Sequence, residues 1–281
     1  MRKYNGQEYE LDTTEQVVRL KKEYHETLLR NKPGSFAGFK KFGGSSIGNI
    51  FETDAFKGQF LAFLHMARLS MPIFKKKYVR AGEAVEPKVF EALKTKFPNL
   101  DIQHIIASEV GYDYFKGHHD ILGGVPDGLI PSKKIVLEMK AVQAKKQEVW
   151  EQNNNMNVPL DYRAQAELYA YLLGYKAYSI IAVFLEEQDY ADPENIDIYQ
   201  RNIGQYNFKI DPLRAQKSVD EIVKFWTDYS RIGVSPRYDV RRDSKVLQYL
   251  SCHNEQEWEQ LFNQWKKEGD VDEDIQFKDV R

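Results

Sequence analysis

Cysteine occurs once in this chain of 281 residues, at Cys252. That excludes an internal disulfide framework, a cysteine-rich zinc site and a four-cysteine iron–sulfur cluster. Long apolar runs are missing too. The strongest, Tyr178 to Leu185, is less than half of what a membrane-spanning helix needs. The start, Met-Arg-Lys-Tyr-Asn-Gly-Gln-Glu, has no apolar segment of the secretory kind, so the expectation is a cytoplasmic protein without membrane contact. Nor does one sign of charge dominate: 40 Lys and Arg meet 42 Asp and Glu, a net charge of −2. A polycation is excluded, and any hold on nucleic acid has to come from a local basic surface. Repeats and long Gly/Ser/Pro linkers are absent as well, which points to one principal domain with additions at its ends. What is present is ample material for a core, since 42% of the residues are hydrophobic.

Val17, Leu20, Tyr24 and Leu28 recur at helical spacing, and Thr13 with Gln16 offers a capping box, so a helix is expected over Thr13 to Asn31. Pro33 to Phe51, rich in glycine and basic residues, reads as a loop opening into a second helix. Residues 87–97 read as an amphipathic helix ended by Pro98. The period then changes: His104 to Tyr114, Gly124 to Ile130 and Ile135 to Val142 read as strands, with a turn over Pro131 to Lys134. Asp161 to Leu173 reads as a helix closed by Gly174, and Tyr178 to Leu185 as a fully buried strand. Two short strands are expected near Ile196–Ile203 and Tyr206–Ile210. Asp211-Pro212 then opens a helix to about Ile232. A further helix is expected over 243–268, followed by a solvated acidic end. This order predicts an α/β fold with a mixed central sheet flanked by helices.

The chemistry concentrates in Gly124-Val125-Pro126-Asp127-Gly128 and the strand after it. In that strand Ile135, Leu137 and Met139 point one way, and Val136, Glu138 and Lys140 the other. A carboxylate and an ammonium thus share one face of a strand composed for burial, which costs several kcal/mol unless they are paired or bind a metal. A turn centred on Ser132-Lys133 sets Ile130 opposite Ile135 and Asp127 opposite Glu138, with Cβ atoms about 5 Å apart. Two carboxylates so placed repel unless a cation lies between them, and their hard oxygens suit Mg²⁺. Lys140 on the same face can neutralise charge developing on a phosphorus oxygen.

Pro126-Asp127 … Glu138-Met139-Lys140 resembles the signature of the PD-(D/E)xK nucleases, whose core is restriction-endonuclease-like. The order of segments is similar to the phage lambda exonuclease type, the YqaJ-like viral recombinases. Its members carry a Ser turn, a Gly-x-x-x-Glu segment, the hairpin and an Ala-Gln helix. Here these read as Gly44-Ser45-Ser46-Ile47-Gly48, Gly82-Glu83-Ala84-Val85-Glu86-Pro87, the hairpin, and Tyr162-Arg163-Ala164-Gln165-Ala166-Glu167-Leu168-Tyr169. The resemblance spans roughly residues 35–235 and suggests a nuclease domain over 35–236. Residues 1–34 would be a helical extension, and 237–281 a helical and acidic one.

The resemblance implies a Mg²⁺-dependent deoxyribonuclease, with Mn²⁺ as a substitute metal, acting on double-stranded DNA and trimming a strand from an end. Asp127, Glu138 and the backbone carbonyl of Met139 would ligate the metal. Glu86 would complete a second metal position or hold a water, with Glu83 as the rival. Lys140 would assist the nucleophile, and Gln165 would orient the lysine, the water or the phosphate. Lys40, Lys41, Ser45, Arg163 and Tyr169 are the implied DNA contacts, Tyr169 having core packing as its other reading. Lysines at 40 and 41 stand where the family often has an arginine, and a lysine lacks the bidentate fork that grips a phosphate. Lys75-Lys76-Lys77-Tyr78-Val79-Arg80 reads either as a DNA channel or as a solvated face, and His118-His119 as a loop or a metal site. A trimeric ring and a single-strand annealing partner follow from the family alone. An endonuclease or a non-catalytic recombination scaffold are the alternatives.

Overall fold

The computed structural model describes residues 2–155 and 157–281. In chain order the elements are β1 (Tyr9–Asp12), β2 (Val17–Leu20), α1 (Lys22–Arg30), α2 (Ile47–Ile50), α3 (Gln59–Met66), α4 (Lys77–Lys96), β3 (Gln103–His104) and β4 (Gly128–Ile130). They continue with β5 (Ile135–Gln143), α5 (Gln147–Asn155), α6 (Leu160–Leu172), β6 (Ala177–Leu185), β7 (Asn202–Lys209), α7 (Pro212–Ile232), α8 (Ser244–Ser251) and α9 (Glu255–Lys267). The chain forms two compact units. One holds residues 1–42, 46–76 and 222–281; the other holds 43–45 and 77–221.

The second unit contains a five-stranded sheet in the order β3-β4-β5-β6-β7. β5 and β6 run parallel, and every other pair is antiparallel. One sheet face buries Val136, Ile180, Ala182 and Phe184 with Ala166, Tyr169 and Ala170 of α6. The other buries Leu137, Met139, Ile181 and Val183 with Ala81, Val85, Val89 and Phe90 of α4. β6 supplies residues to both cores, which is why it reads as an unbroken apolar run rather than an alternation. The result is the mixed α/β architecture expected from the sequence, a central mixed sheet flanked by helices.

In the first unit, β1 and β2 form an antiparallel hairpin. The helix expected over Thr13 to Asn31 is therefore half strand, and the N-terminal extension is not wholly helical. Asp12 Oδ1 accepts from the amides of Thr14 and Glu15 at 3.0 and 2.9 Å, and Gln16 is left-handed at φ 59°. That turn replaces the capping box, and β-branched Val17 and Val18 are both buried. Trp258, Phe262 and Trp265 of α9 pack around Phe74 at the core of this unit. The expected helix over 243–268 is two helices, broken at Cys252 and His253, with Asn254 capping α9 by accepting from the Glu257 amide at 2.9 Å. The acidic end is not solvated throughout. Val271 and Ile275 are buried, and Asp272 Oδ2 accepts from the Lys76 amide at 2.7 Å.

Other expectations change within the second unit. α4 starts ten residues before 87 and runs through Pro87. Proline removes the hydrogen bond to the carbonyl four residues earlier. Here Pro87 and Glu83 are both exposed, so water can satisfy that carbonyl while the apolar face stays packed. The strand expected over His104 to Tyr114 stops at His104, because Gly111 and Tyr112 turn at positive φ and the Tyr112 amide bonds back to Ala107. Ordered pairing in the strand expected from Gly124 begins only at Gly128. The two short strands expected after 195 are one, β7. Among the described residues no helix is long and apolar enough to cross a membrane.

Candidate active site

The hairpin pairs Ile130 with Ile135, Leu129 with Val136 and Gly128 with Leu137. Lys134 turns at φ 54° to close it. Asp127 lies one residue before β4, where the same register leads to Glu138. The Asp127 carboxylate is anchored, Oδ2 accepting from the Met139 amide at 2.7 Å, and its carbonyl accepts from Ile105 at 2.9 Å. Glu138 is fully buried, and its Oε1 accepts from Lys140 Nζ and from Gln165 Nε2, both at 2.6 Å. Its Oε2 is buried with no hydrogen-bond partner among the described residues. Lys140 Nζ also lies 5.0 Å from the centre of the Tyr162 ring.

These neighbours set the charges. Burial first, and then the charge of Glu138, push the Asp127 carboxyl well above the usual carboxylate range, against the pull of Lys140. Burial raises Glu138 too, with Lys140 opposing. Burial works against the Lys140 ammonium, but Glu138 and Asp127 outweigh it and hold its pKa above the ordinary value. Once both carboxyls are ionised, two negative charges face one ammonium in a desolvated place, a setting that favours a cation.

The donor set fits a hard divalent ion. Among the described residues Glu138 Oε2 has no hydrogen-bond donor, and the half-buried Asp127 carboxyl lies against the Glu138 carboxyl. Among the described residues no three His, Cys, Asp or Glu side chains converge as a ready metal cage. Mg²⁺ commonly needs no such cage: one or two carboxylates hold it, and waters and substrate phosphates complete its shell. Glu86 sits in the middle of α4 rather than at a helix start, and its charge reaches both Asp127 and Glu138. Its Oε1 accepts from His104 Nε2 at 2.8 Å. Its rival Glu83 is exposed, and neither carboxyl of the buried pair feels its charge among its leading influences.

Two of the implied DNA contacts, Tyr169 and Arg163, pack against aromatic rings of their own unit. Tyr169 is 1% exposed and stacks on Phe115, and its hydroxyl accepts from the Gly44 amide at 2.8 Å. It pins the glycine turn from within the core. Gly124 must lack a side chain there, since it has φ 116° and a Cβ would stand 2.3 Å from the Tyr169 hydroxyl. Arg163, two residues before Gln165, is on the other side of α6, its guanidinium 4.5 Å from the centre of the Phe208 ring. Ser45 is exposed beside that turn, while Lys40 and Lys41 are half-buried and belong to the other unit. Burial and then the charge of Arg68 lower the Lys40 pKa. In the basic run, Lys75 is tied to the Gly269 carbonyl at 2.5 Å and Lys77 to Glu187 at 2.9 Å. His119 Nδ1 accepts from the amides of Ile121 and Leu122 at 3.1 and 3.0 Å, which makes that segment a structured loop.

His104 and Tyr162 are the neighbours that sequence reasoning passed over as functional. Tyr162 shares the i, i+3 helical face with Gln165, a signal open to reading. His104 had none, because its link to Glu86 crosses from one element to another. Gly128 has a physical role beside them: a Cβ there would meet Phe90 Cε1 at 2.3 Å and the Gln103 carbonyl at 2.6 Å. Gly128→Ala is expected to destabilise the chain by about 1–3 kcal/mol in urea titrations. A wild-type midpoint would show that the packing yields.

A mixed-sheet hairpin bearing two facing carboxylates, one of them fully buried, with an ammonium two residues on defines the PD-(D/E)xK nuclease class. The YqaJ-like viral recombinase domain matches residues 29–176, more than half of the chain, and the chain belongs to that family. It is 25% identical to the uncharacterised protein MG373 of Mycoplasma genitalium, covering 81% of this chain and 92% of that protein. With the Mycoplasma pneumoniae homologue of MG373 the identity is 23%, over 71% and 84%. Among solved structures, a phage-related exonuclease from Haemophilus somnus superposes with a TM-score of 0.46 at 14% identity, covering 68% of this chain and 94% of that one. An alkaline exonuclease from Laribacter hongkongensis does so at 0.45 and 13%, over 80% and 100%.

Proposed function

We propose that this protein is a Mg²⁺-dependent deoxyribonuclease that hydrolyses double-stranded DNA from its ends. The observation that carries the reading is the Asp127–Glu138–Lys140 cluster around fully buried Glu138, whose Oε2 has no hydrogen-bond donor among the described residues. Asp127, Glu138 and the Met139 carbonyl would hold the ion, with Glu86 at a second position or on a bound water. Mn²⁺ would substitute, and the single cysteine leaves no four-cysteine cluster to build. When bound, the ion supplies charge neutralisation at the phosphate and lowers the pKa of an attacking water.

The protein's own residues do the rest. The Ile105 amide holds the Asp127 backbone and the Met139 amide holds its Oδ2, so the carboxylate is oriented toward Glu138 rather than rotating. Gln165 and Lys140 both hold Glu138 Oε1, which leaves Oε2 as the available oxygen. Lys140 carries its positive charge where negative charge grows on the phosphorus oxygens. No covalent intermediate is needed. Ser45, Lys40 and Lys41 are the remaining candidates for DNA contact, within a catalytic region taken as 35–236. A trimer and a single-strand annealing partner belong to the same proposal.

Digestion of end-labelled linear duplex, compared with covalently closed circles, tests it. The expected result is Mg²⁺-dependent loss of linear DNA with closed circles intact. Cleavage of circles would make the enzyme an endonuclease, and no digestion in any divalent metal would leave a recombination scaffold.

A further inference from the structure

We infer that His104 is a positioning residue that aims the Glu86 carboxylate at the metal site, an inference that rests on the reading of Glu86 given above. Three observations carry it. His104 Nε2 lies 2.8 Å from Glu86 Oε1, and both side chains are largely enclosed, at 17% and 29% exposure. The imidazole is itself fixed, stacked on Phe90 with ring centres 4.4 Å apart and planes 7° from parallel. Finally, β3 joins this ring to the catalytic hairpin: His104 pairs with Gly128, and the next amide, Ile105, donates to the Asp127 carbonyl at 2.9 Å.

The physical need is plain. A glutamate has three side-chain torsions, and holding one rotamer costs conformational entropy when nothing else restrains it. Glu86 comes from α4, an element separate from the hairpin that carries Asp127 and Glu138. Its repulsion from those two charges drives it away from the place where a cation would want it. A hydrogen bond from a stacked imidazole opposes that drift before any ion arrives, leaving Oε2 of Glu86 as the oxygen to be presented. Hydrogen bonds that orient metal-binding side chains in this way are worth about 10–100-fold in metal affinity. The missing side chain of Gly128 lets Phe90 close on the ring. The glycine after Asp127 therefore serves the third carboxylate as well as the hairpin.

The test uses the full chain without DNA and reads Mn²⁺ binding by calorimetry, with thermal unfolding as a check on folding. His104→Phe keeps the stack and removes the donor, while His104→Gln keeps a donor near the Nε2 position and loses the stack. Positioning predicts that Mn²⁺ affinity falls about 10-fold in the Phe variant and stays within about 3-fold of wild type in the Gln variant. A purely packing role predicts the reverse order and would overturn the inference. Glu86→Gln separates the two layers. If it binds Mn²⁺ as the wild type does, the Glu86 reading falls and this one with it. If it weakens binding while His104→Phe does not, only the role of His104 is lost. In the double variant, His104→Phe is expected to add nothing to Glu86→Gln.

Discussion

Asp127→Asn is expected to abolish metal-dependent DNA digestion, by about 10³-fold or more, and yet to unfold at a higher temperature than the natural chain in metal-free buffer. The two effects have one cause. The Asp127 carboxyl is held well above its ordinary range by burial and by Glu138. A raised carboxyl stabilises the fold fully below its ordinary pKa, and that contribution is lost as pH rises through the raised value. Above that raised value the natural chain carries two crowded carboxylates, whereas the amide keeps the acceptor for the Met139 amide without the charge. The expected gain is about 3–8 °C at pH 8, shrinking towards zero near pH 4. Mg²⁺ should raise the melting temperature of the natural chain and leave the variant unmoved. Scanning calorimetry across pH reads all of this. A variant less stable than wild type at pH 8, or one that still digests DNA at a tenth of the normal rate, would remove Asp127 from the role proposed.

Lys140→Met should be harmful twice over. Digestion is expected to fall by about 10²–10⁴-fold, as when a positioned charged group is lost from a reacting centre. Stability should also fall by about 3 kcal/mol, because fully buried Glu138 loses the ammonium 2.6 Å away. The partner substitution distinguishes the two losses. Adding Glu138→Gln removes the stranded charge, and the amide can still meet Gln165, so the double variant should regain most of the stability and none of the activity. Urea titration beside the digestion assay checks both. If the double variant were no more stable than Lys140→Met alone, the charge pair would not be what the ammonium contributes to the fold.

Local patterns carried much of the site. The period of two along β5 put Glu138 and Lys140 on one face, and the turn before it paired Ile130 with Ile135. Gln165 was implied by the family resemblance alone, since its bond to Glu138 spans 27 positions and no spacing rule reports such a contact. Arg163 and Tyr169 show the converse. Both stand in the segment that the family resemblance highlights, and each was implied as a DNA contact. Packing turned Arg163 to Phe208 and sank Tyr169 against Phe115. The helix expected from Thr13 failed for a related reason: a helical spacing of apolar residues cannot compete with a turn fixed by Asp12 and a strand partner at Tyr9–Asp12.

What the sequence by itself determined is whatever depends on neighbours along the chain: the hairpin, its register, the buried strand β6 and the charge pattern on β5. These follow from side-chain alternation and turn chemistry, which act over a few residues. Only the tertiary structure decided which oxygens are occupied and which is left over. It also decided that Glu86 meets His104 and that the acidic end packs through Val271 and Ile275. Those outcomes come from elements far apart in sequence competing to bury the same surfaces, and that competition is settled by shape and charge once the chain has closed on itself.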